Sequence, residues 1–528
     1  MNSNFEFLKK DWEILFKIGE MAEYTLYKDP NTALIKMRQL GEYLVKSILK
    51  VEKIYDEKDS NQKKKILRLR EEDLITEKEA SILNALREIG NKAVHSAYDD
   101  KTKALELLPK VVELCSWFNE VYGSDYNFNS EEVTYQKPLE IDYQKAYESL
   151  KKKFDEVQAE KEFSHIQFEN LNIKPKEERK KIYQKRKEKG PTEAETRFII
   201  DTQLREAGWE VDTPKLNYKI NKTLPESKRY MAIAEWPCIK EDGEKGYVDY
   251  ALFYEKTLIG VIEAKRYSVD VGSALRRDGL IYAKGILNVN DDIKFLKNSP
   301  FADGNKVQFI FASNGRGYNK EWIDKSGIWF LNAKGEKFSV KALHNFYSPK
   351  DLMEISKKDS EKANEKLKNE SIDYLTSKDG LNLRYYQLEA VQKVEEALIN
   401  GQHKILLTMA TGTGKTRTAL AILYRLLESD RYKRILFLVD RATLGEQAMD
   451  TFTNAKIKQQ STLTSIYEVL GLQDKNPNDE TRVHIATVQG LINRVLYSDN
   501  PLSVGKYDCI IIDEAHRGYT LDLSLIHI

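Results

Sequence analysis

An apolar run, a glycine-containing loop and a helical pattern follow one another between residues 405 and 423, and this succession constrains the fold more than any other feature. The apolar run, 405–407, predicts a buried strand, and the apolar repeat after the loop predicts a helix. Glycines 412 and 414 let backbone N–H groups close around a phosphate, and the N-terminus of the following helix adds a favourable dipole. The sequence therefore predicts a nucleotide-phosphate cradle in an α/β domain.

The side chains of this loop suit ATP with Mg²⁺. Lys415 would reach the β- and γ-phosphates, and the Thr416 hydroxyl would hold Mg²⁺. The usual first glycine of such a loop falls at Met409, a departure that favours a helicase-type loop over a small GTPase. The residues predicted to bind ATP in this part of the chain are Gln387, Thr411, Gly412, Thr413, Gly414, Lys415 and Thr416.

A second motif of the same site lies further along the chain. It follows the apolar run 509–512, which predicts a short strand. Asp513 would bind Mg²⁺ through water, Glu514 would polarise the attacking water, and His516 would couple the nucleotide to neighbouring loops. Taken singly, the glycine loop could be a plain turn and the acidic pair a helix cap. Both motifs in this order on strand ends predict an ATPase.

Supporting residues fall where a nucleic-acid motor needs them. Gln387, ahead of the phosphate loop, suits an amide that binds the adenine edge. Arg441, Thr487 and Gln489 follow two further predicted strands, whose ends face the ligand side of a parallel α/β sheet. They could contact a nucleic-acid backbone, or they could be ordinary strand caps. Together these runs resemble the first RecA-like lobe of superfamily-2 helicases and translocases.

Length and composition bound the class of protein. At 528 residues the chain is long enough for about three or four domains. No run approaches the ~18 apolar residues of a membrane span, and the start lacks the apolar core of a signal peptide. Cys115, Cys238 and Cys509 lie far apart, which argues against a disulfide framework or a zinc cluster. These features predict a cytoplasmic protein with no membrane partner.

The N-terminal part, residues 1–125, predicts a helical domain because its apolar residues recur at helical spacing. Arg87, Asn91 and His95 fall four apart and therefore share one helix face. The region resembles HEPN-like helical domains, some of which cleave RNA with an Arg and a His. A structural or docking role is the favoured interpretation, with the three polar residues forming a contact between helices.

Two charged segments separate the predicted domains. Residues 126–190 predict a charged helical linker, and residues 351–378 predict a second, polar linker. Residues 171–190 carry nine Lys/Arg and three Glu, a net charge of +6 (9 − 3). The basic end, 174–189, could lie on DNA phosphates, or it could be a solvated charge run, which is the commoner outcome.

Residues 191–350 predict an α/β domain with a candidate site of its own. The stretch 192–200 predicts a helix that carries Glu195. Two apolar strands follow at 246–253 and 258–265, and the short polar turn between them predicts a hairpin.

That hairpin would bring Asp249 close to Glu263 and Lys265, and strand alternation puts the last two on one face. Two carboxylates converging on Mg²⁺ polarise a phosphodiester and acidify a water, while a lysine can stabilise developing charge. The pattern resembles the PD-(D/E)xK nuclease core, with Asp249 and Glu263 as metal ligands, Lys265 beside them and Glu195 as a further catalytic residue. Such a match alone is commonly surface charge, but its place on two apolar strands ahead of an ATPase favours a nuclease.

The chain as a whole resembles the motor and endonuclease (R) subunit of type I restriction enzymes. The helical front end, the nuclease core and the run 513–522 carry this resemblance. In that family a Gln four residues before a Tyr assists the site; here Tyr282 is present, but position 278 is Asp278. The resemblance implies a multidomain fold: an all-α HEPN-like bundle, an α/β PD-(D/E)xK nuclease-like domain and, at 379–528, the first RecA-like α/β lobe of a superfamily-2 helicase.

The resemblance also implies a function. It implies an ATP- and Mg²⁺-dependent translocase and endonuclease on double-stranded DNA, which works with methyltransferase and specificity subunits. Because a second RecA-like lobe with its arginine finger is absent from these residues, we expect an incomplete motor that binds ATP weakly and does not translocate. The last residues, 523–528, depart from the family's pattern. Two alternatives stay open: another helicase–nuclease fusion in defence or repair, and a non-catalytic fragment that only binds DNA or partner subunits.

Overall fold

The computed structural model describes the chain from residue 3 to residue 515, with gaps at 56–59, 97–98, 139–162, 165, 167, 169–171, 276–278, 320, 335–339, 459, 475–476, 497 and 499–500. Its elements form three parts in chain order: a helical bundle, a mixed α/β domain and a parallel α/β domain. Within the described ranges, no helix is both long and apolar enough to cross a lipid bilayer.

The N-terminal bundle is built around one apolar core, which confirms the predicted helical region. Its helices are α1 (Glu13–Thr25), α2 (Pro30–Val51), α3 (Gln62–Glu71), α4 (Glu77–Ser96) and α5 (Lys101–Tyr122). Asp29 caps α2, and Pro30 occupies its first position, where a missing N–H costs nothing. Thr76 donates its backbone N–H to the Glu79 carboxylate at 2.8 Å, which fixes the start of α4. Trp117 is among the side chains buried in the core.

The basic helix α6 (Lys176–Lys189) lies along this bundle and is paired with it. Arg179 Nη2 lies 2.7 Å from Glu52 Oε1, and Arg186 Nε lies 2.7 Å from Glu79 Oε1. One face of the run 174–189 is therefore paired with protein carboxylates. The sequence predicted either contact with DNA phosphates or a solvated run, and neither alternative included this pairing. The cations on its exposed face include Lys180, Lys181 and Lys185.

The middle domain is built on a mixed sheet. Its strands are β1 (Tyr230–Ile239), β2 (Lys245–Tyr254), β3 (Thr257–Ala264), β4 (Lys294–Phe295), β5 (Phe309–Ser313), β6 (Ile328–Asn332) and β7 (Val340–Leu343). The order is β1-β2-β3-β5-β6-β7, with β4 beside β3. All neighbours are antiparallel except β3 with β4 and with β5. Two separate apolar clusters take up alternate strand residues, so both faces of the sheet are covered.

Four helices precede or interrupt this sheet and cover it. They are α7 (Glu193–Glu206), α8 (Tyr218–Asn221), α9 (Val271–Ala274) and α10 (Leu280–Gly285). Helix α7 begins at a capping box formed by Thr192 and Glu195, and it ends before Gly208, whose φ of +88° suits glycine. Ile200 and Leu204 on α7 are fully buried against the sheet. The predicted helix, its stop and the β2–β3 hairpin are confirmed.

The segment 351–378, predicted as a polar linker, instead forms packed helices. These are α11 (Pro349–Lys357), α12 (Ser360–Asn369) and α13 (Asp373–Thr376). Leu352 is buried in the core of the middle domain, whereas Leu367 and Leu375 are buried in the core of the third domain. The segment still connects the two domains, and it packs against both because a few well-placed leucines are enough to dock a helix whose other residues are charged.

The third domain carries a parallel sheet. Its strands are β8 (Ile435–Val439), β9 (Glu468–Leu470), β10 (Thr481–Thr487) and β11 (Cys509–Ile512), in the order β11-β8-β10-β9. Every neighbouring pair is parallel, as predicted for this class of sheet. The helices are α14 (Tyr385–Ile399), α15 (Lys415–Glu428), α16 (Ala442–Asn454), α17 (Leu463–Ile466) and α18 (Val488–Leu496).

The apolar run 405–407 is the main departure from the prediction for this domain. It was predicted as a buried strand, but it forms no strand, and Leu406 is 83% exposed. An extended segment becomes a strand only beside another strand that satisfies its N–H and C=O groups. Within the described ranges no strand pairs with the outer edge of β11, and residues 509–512 on that edge are only half-buried.

Candidate active sites

The carboxylates of Asp249 and Glu263 are brought together by the β2–β3 hairpin. In this ladder Tyr250 is paired with Ile262, so Asp249 and Glu263 each lie one residue beyond that pair, on facing strands. Asp249 Oδ2 accepts the backbone N–H of Ala264 at 2.8 Å, which ties the two strand ends together. The predicted approach of the two carboxylates is therefore built into the register of the hairpin.

Lys265 completes this cluster. Its backbone N–H donates to Ser313 O on β5 at 2.7 Å, and its ammonium lies 2.8 Å from Glu263 Oε1. The other oxygen of this carboxylate, Glu263 Oε2, is buried and has no hydrogen-bond partner among the described residues. A buried carboxylate oxygen in this condition is costly, which favours a cation as its missing partner.

The pKa values of the two acids reflect this confinement. Burial first, and then the neighbouring Asp249, raises the pKa of Glu263 to about 7, while Lys265 opposes the rise. Burial also raises the pKa of Asp249 above its ordinary value, against the opposing effects of the Ala264 N–H and of Arg197. Two like charges held close in a poorly hydrated site disfavour each other, and a divalent cation between them would remove that penalty.

Helix α7 supplies one wall of a cavity of about 300 Å³ above this cluster. Arg197 reaches across it and places Nη2 2.8 Å from Asp249 Oδ1. The lining residues are Glu193, Thr196, Arg197, Asp249, Ala264, Lys265, Arg266 and Val269. The sequence analysis missed Glu193 and Arg197, although their spacing of four already places both on one helix face.

Glu195 does not join this group. It lies on another face of α7, where its Oε2 accepts the Thr192 backbone N–H at 2.7 Å as part of the capping box. Its other oxygen is bonded to Lys78 of the helical bundle. Both oxygens are thus used for capping and for holding two domains together, so the structure gives no support to the prediction of Glu195 as a catalytic residue.

The residues present fit a divalent metal ion, although the donor set is small. Asp249 and Glu263 offer carboxylate oxygens, of which Glu263 Oε2 lacks any other described partner. Within the described ranges no group of three or more His, Cys, Asp or Glu could hold a metal. Mg²⁺ commonly uses one or two carboxylates and completes its shell with water and phosphate oxygens, so two acids are sufficient.

Tyr282, which the family resemblance singled out, lies on α10 near these acids. Burial, followed by the negative charges of Glu263 and Asp249, raises the pKa of Tyr282 to about 12. Its hydroxyl therefore stays protonated and remains a possible donor at neutral pH. Asp278, its expected companion, lies outside the described residues.

The phosphate loop of the third domain has the backbone that the motif predicts. Gly412 and Gly414 have φ values of +79° and +83°, a region that glycine adopts without strain. Gly414 directly precedes α15, so Lys415 and Thr416 form the first turn of that helix, as a phosphate site requires. Thr411 and Gly412 are exposed, and Thr416 is half-buried.

Gln387 acts on the loop through its backbone. Its Nε2 donates to Thr413 O at 2.9 Å and to Gly414 O at 3.3 Å, while its Oε1 accepts the Arg384 backbone N–H. A Cβ on Gly414 would lie 2.5 Å from this amide, which would then have to move, and the φ of +83° at this residue independently favours glycine. The amide holds the shape of the loop, while its predicted contact with the adenine edge stays a prediction.

The acidic pair lies opposite the loop. Asp513 donates its backbone N–H to Leu438 O at 2.9 Å, and burial raises the pKa of its carboxyl. Glu514 Oε1 lies 2.5 Å from Lys415 Nζ, so the two motifs meet in space as predicted. His516 lies outside the described residues.

Arg441, Thr487 and Gln489 were the residues predicted to contact a nucleic-acid backbone. Of these, Thr487 caps a helix. Its Oγ1 accepts the Gly490 N–H at 3.1 Å, which is the strand-cap alternative. The Arg441 side chain is 70% exposed, with its Nε 3.5 Å from Asp440 Oδ2, so it is accessible to a ligand. Gln489 is exposed in the first turn of α18, so it is accessible to a ligand as well.

Family models match all three parts of the chain. A model described as the second domain of the type I restriction enzyme EcoKI endonuclease subunit matches residues 210–356. A model of the type III restriction enzyme res subunit matches residues 380–524, and a domain of unknown function, DUF4145, matches residues 20–159. The first two cover the carboxylate cluster and both motifs of the phosphate site.

Known proteins of one kind are similar to the chain. It is 35% identical to the type I restriction enzyme EcoKI endonuclease subunit of Escherichia coli (strain K12), over 98% of this chain and 50% of that protein. The EcoAI endonuclease subunit of Escherichia coli is 31% identical over 51% of this chain and 29% of its own length.

One solved fragment from Vibrio vulnificus YJ016, assigned to an HsdR subunit of a type I restriction enzyme, covers 64% of this chain and 53% of that one at 23% identity. Its TM-score of 0.21 is too low to carry any argument about the fold. The chain spans about half the length of the EcoKI relative. Along 98% of its length the chain is therefore similar to a type I restriction enzyme endonuclease subunit, and its middle domain matches a family model of that subunit.

Proposed function

We propose that this chain cleaves double-stranded DNA with Mg²⁺ at the Asp249–Glu263–Lys265 cluster, as part of an ATP-dependent type I restriction enzyme. The observation that carries the proposal is the orphaned Glu263 Oε2, buried beside a second carboxylate and a lysine on a cavity open to solvent. A structural ion pair would satisfy its own oxygens, whereas a metal site leaves one oxygen for the metal.

The residues of the chain have separate tasks in this reaction. Asp249 and Glu263 would hold Mg²⁺, which would supply Lewis-acid polarisation of the phosphodiester and an acidified water. Lys265 holds Glu263 Oε1 at 2.8 Å, which orients the carboxylate and leaves its other oxygen for the ion. The same ammonium lines the cavity, where it can stabilise charge that develops on the attacked phosphate.

The third domain would supply the ATP-binding half of a DNA translocase. The ion pair between Lys415 and Glu514 supports this proposal because it brings the two motifs together, and Thr416 and Asp513 are the candidate Mg²⁺ residues. Contacts to DNA would be made to phosphates, and methyltransferase and specificity subunits would be its partners in the enzyme. These statements rest on the family and on the loop geometry together.

For the helical bundle we propose a bracing role, in place of RNA cleavage. Arg87 is 5% exposed and lies 3.5 Å from Glu88, so its guanidinium is turned inward, away from solvent. Lys78 holds Glu195 at the start of α7, and Glu79 holds Arg186 of α6. The bundle thus fixes the helix that forms one wall of the cleavage cavity.

Nicking of supercoiled plasmid by the full chain tests the proposal. We expect nicking that requires Mg²⁺ and is lost in Asp249→Asn and in Lys265→Ala, with a loss of about 100-fold or more. Lys294→Ala, an exposed lysine on β4 of the same domain, is the matched control and should retain full activity. Nicking that survives in Asp249→Asn would refute the assignment of the cluster.

The same preparation separates the alternatives. A fragment that acts only by binding would shift DNA in a gel and give no Mg²⁺-dependent nicking, with Asp249→Asn behaving like the parent. Another helicase–nuclease fusion would also nick DNA, but its gene would have no adenine methyltransferase gene beside it.

A further inference from the structure

Arg197 sits in an unusual ionic environment above the carboxylate cluster. Three acids surround its guanidinium: Asp249 at 2.8 Å, Glu235 at 3.6 Å and Glu193 at 3.9 Å. Only the contact with Asp249 is of hydrogen-bond length, and it uses one of the five N–H donors of Arg197. The guanidinium also lines the cavity. Its remaining donors are therefore placed to serve a ligand in that space.

Glu235 is held in an uncommon backbone conformation directly beside this group. Its φ is +50°, a left-handed value that costs free energy for any residue with a Cβ. The β1–β2 ladder pairs Ala234 with Tyr250 and Trp236 with Val248, so Glu235 is opposite Asp249. That pair alone is missing from an otherwise continuous register between Tyr230 and Ile239.

The local strain has an identifiable effect on the Glu235 side chain. A residue in regular β1 conformation would continue the ladder, whereas here the carboxylate lies between Arg197 Nη1 and Lys219 Nζ, at 3.6 Å from each. The register on both sides is unchanged, so the deviation places this one side chain and does nothing else to the sheet. Strain that is confined in this way at a candidate site is a sign of function.

We propose that Arg197 is a phosphate-binding residue of the cleavage site, and that Glu235 is the positioning residue that keeps it there once a metal ion has taken Asp249. The inference rests on the proposed nuclease function and deepens it. In the ion-free protein Arg197 neutralises Asp249. Asp249 Oδ2 already accepts the Ala264 N–H, so a divalent ion held by Asp249 would compete with Arg197 for Oδ1, and repulsion between the two cations would weaken the Arg197 contact.

The released guanidinium then needs an anion. Glu235 keeps the Arg197 guanidinium at the wall of the cavity. The planar guanidinium of Arg197 can donate two parallel hydrogen bonds to two oxygens of a phosphodiester. Lys265 and Arg266 on the opposite wall give the same cavity further positive charge. Metal binding and DNA binding are therefore coupled through one side chain, since the ion frees the residue that holds the phosphate.

Ion binding without nucleotide or DNA gives the first test. Titration of the full chain with Mn²⁺, followed by electron paramagnetic resonance, should show a site that Asp249→Asn abolishes. In Arg197→Met we expect the affinity for Mn²⁺ to rise about tenfold, because a competing cation has gone. If Arg197 merely held Asp249 in place, the same variant would bind the ion more weakly, so the sign of the change decides.

A double-mutant cycle tests Glu235. Glu235→Gln should lower the affinity for Mn²⁺, because Arg197 then keeps only Asp249 and the more distant Glu193, at 3.9 Å, and competes more strongly for Asp249. In the Arg197→Met background the same substitution should have no effect. A loss that persists in that background would make Glu235 a metal ligand and overturn its role as a positioning residue.

DNA binding gives the second test. With Ca²⁺ present, Arg197→Met should weaken the binding of a short duplex, measured by fluorescence anisotropy, whereas in EDTA it should leave the affinity unchanged. Arg197→Lys, which keeps the charge, should recover part of the loss. Arg205→Met on the same helix, whose guanidinium bonds Thr202, is the control for damage to α7 and should change neither titration.

The outcomes separate two failures. If the parent chain binds no ion that depends on Asp249, the proposed function and this inference fall together. Alternatively, the parent chain binds the ion, while Arg197→Met neither raises the affinity for Mn²⁺ nor lowers the affinity for DNA in Ca²⁺. That result would refute only the role of Arg197.

Discussion

The carboxylate cluster and the phosphate loop are built to different degrees of completion. Glu263 and Asp249 lie on strands whose neighbours on both sides are present, and Glu263 is 6% exposed. The loop at 411–416 follows a segment that pairs with no described strand, and its Leu406 is 83% exposed. The carboxylate cluster therefore lies on strands that are paired on both sides. The phosphate loop has its helix and the opposing acids, but among the described residues it lacks the preceding strand that the sequence predicted.

This difference teaches what an apolar run can and cannot predict. Both sites were found from the same signal, an apolar stretch that ends in a polar group. The run 258–262 became a strand because β2 and β5 flank it. The run 405–407 is as apolar, yet a strand is a property of a pair, and the pairing is missing.

The largest effect is expected in the core behind the carboxylate cluster. Phe311 on β5 is fully buried, with its ring centroid 4.9 Å from that of Phe330. Phe311→Ala should lower the free energy of unfolding of the middle domain by about 3–5 kcal/mol, since it leaves a cavity that rigid strands cannot close. Urea unfolding followed by tryptophan fluorescence measures this. A decrease in the free energy of unfolding below about 1 kcal/mol would mean that the carboxylate cluster is no better supported by its core than the phosphate loop is.

The next effect concerns the brace between the bundle and α7. Burial, and then the charge of Glu206, raises the pKa of Glu88 to about 7, against the opposing effects of Arg87, Arg205 and Lys92. Between about pH 4.5 and 7 the folded state therefore binds one proton more than the unfolded state. The stability that this proton contributes is fully present below that range and is lost as the pH rises through it.

Glu88→Gln removes this titration. At pH 8 the variant should be more stable than the parent by on the order of 2 kcal/mol, and at pH 4.5 the two should be alike. Thermal unfolding at both values of pH measures the difference. Equal stability at pH 8 would mean that Glu88 is ionised at little cost, and that the brace is looser than its burial implies.

A smaller effect is expected at the phosphate loop. Glu514→Gln should raise the affinity for a fluorescent ATP analogue about fivefold, because Lys415 no longer has to leave a carboxylate at 2.5 Å. Fluorescence titration measures this, with Lys415→Ala as a control that should lose binding. Unchanged affinity in Glu514→Gln would show that the ion pair opens freely, and that the loop is already arranged for its ligand.

The smallest effect is predicted for the unsupported run itself. Leu406→Ala should change the free energy of unfolding by less than about 0.5 kcal/mol, as substitutions at exposed residues usually do. Urea unfolding under the conditions used for Phe311→Ala gives a direct comparison. A cost of 2 kcal/mol or more would mean that Leu406 is buried in solution, and the contrast between the two sites would disappear.

Much of the candidate site could be predicted from the sequence, and the part that could not has a common cause. Asp249, Glu263 and Lys265 were placed together correctly because a hairpin fixes its own register within a few residues. Arg197 and Glu193 were missed because they line the cavity from a separate helix, and Glu235 was missed because it contacts Arg197 from another strand. Glu195 was chosen for its place on the right helix, but it faces the bundle.

The same division holds for the fold. The amphipathic pattern gave the helices of the bundle, and the two phosphate motifs gave the strand ends and the helix of the third domain. The sequence did not disclose that α6 pairs with Glu52 and Glu79, or that residues 351–378 dock on two domains. Charge-rich helices look alike whether they are solvated or docked, because a few buried residues decide the outcome.

By itself, then, the sequence determined what is local: the helix starts and stops, the hairpin that joins two carboxylates to a lysine, and the glycines of a phosphate loop. Tertiary structure alone decided which side of α7 faces the cavity, which cations are already paired, and which apolar run finds a neighbour. The physical reason is that register and capping depend on adjacent residues, whereas burial and ion pairing depend on surfaces that meet only when the chain has folded.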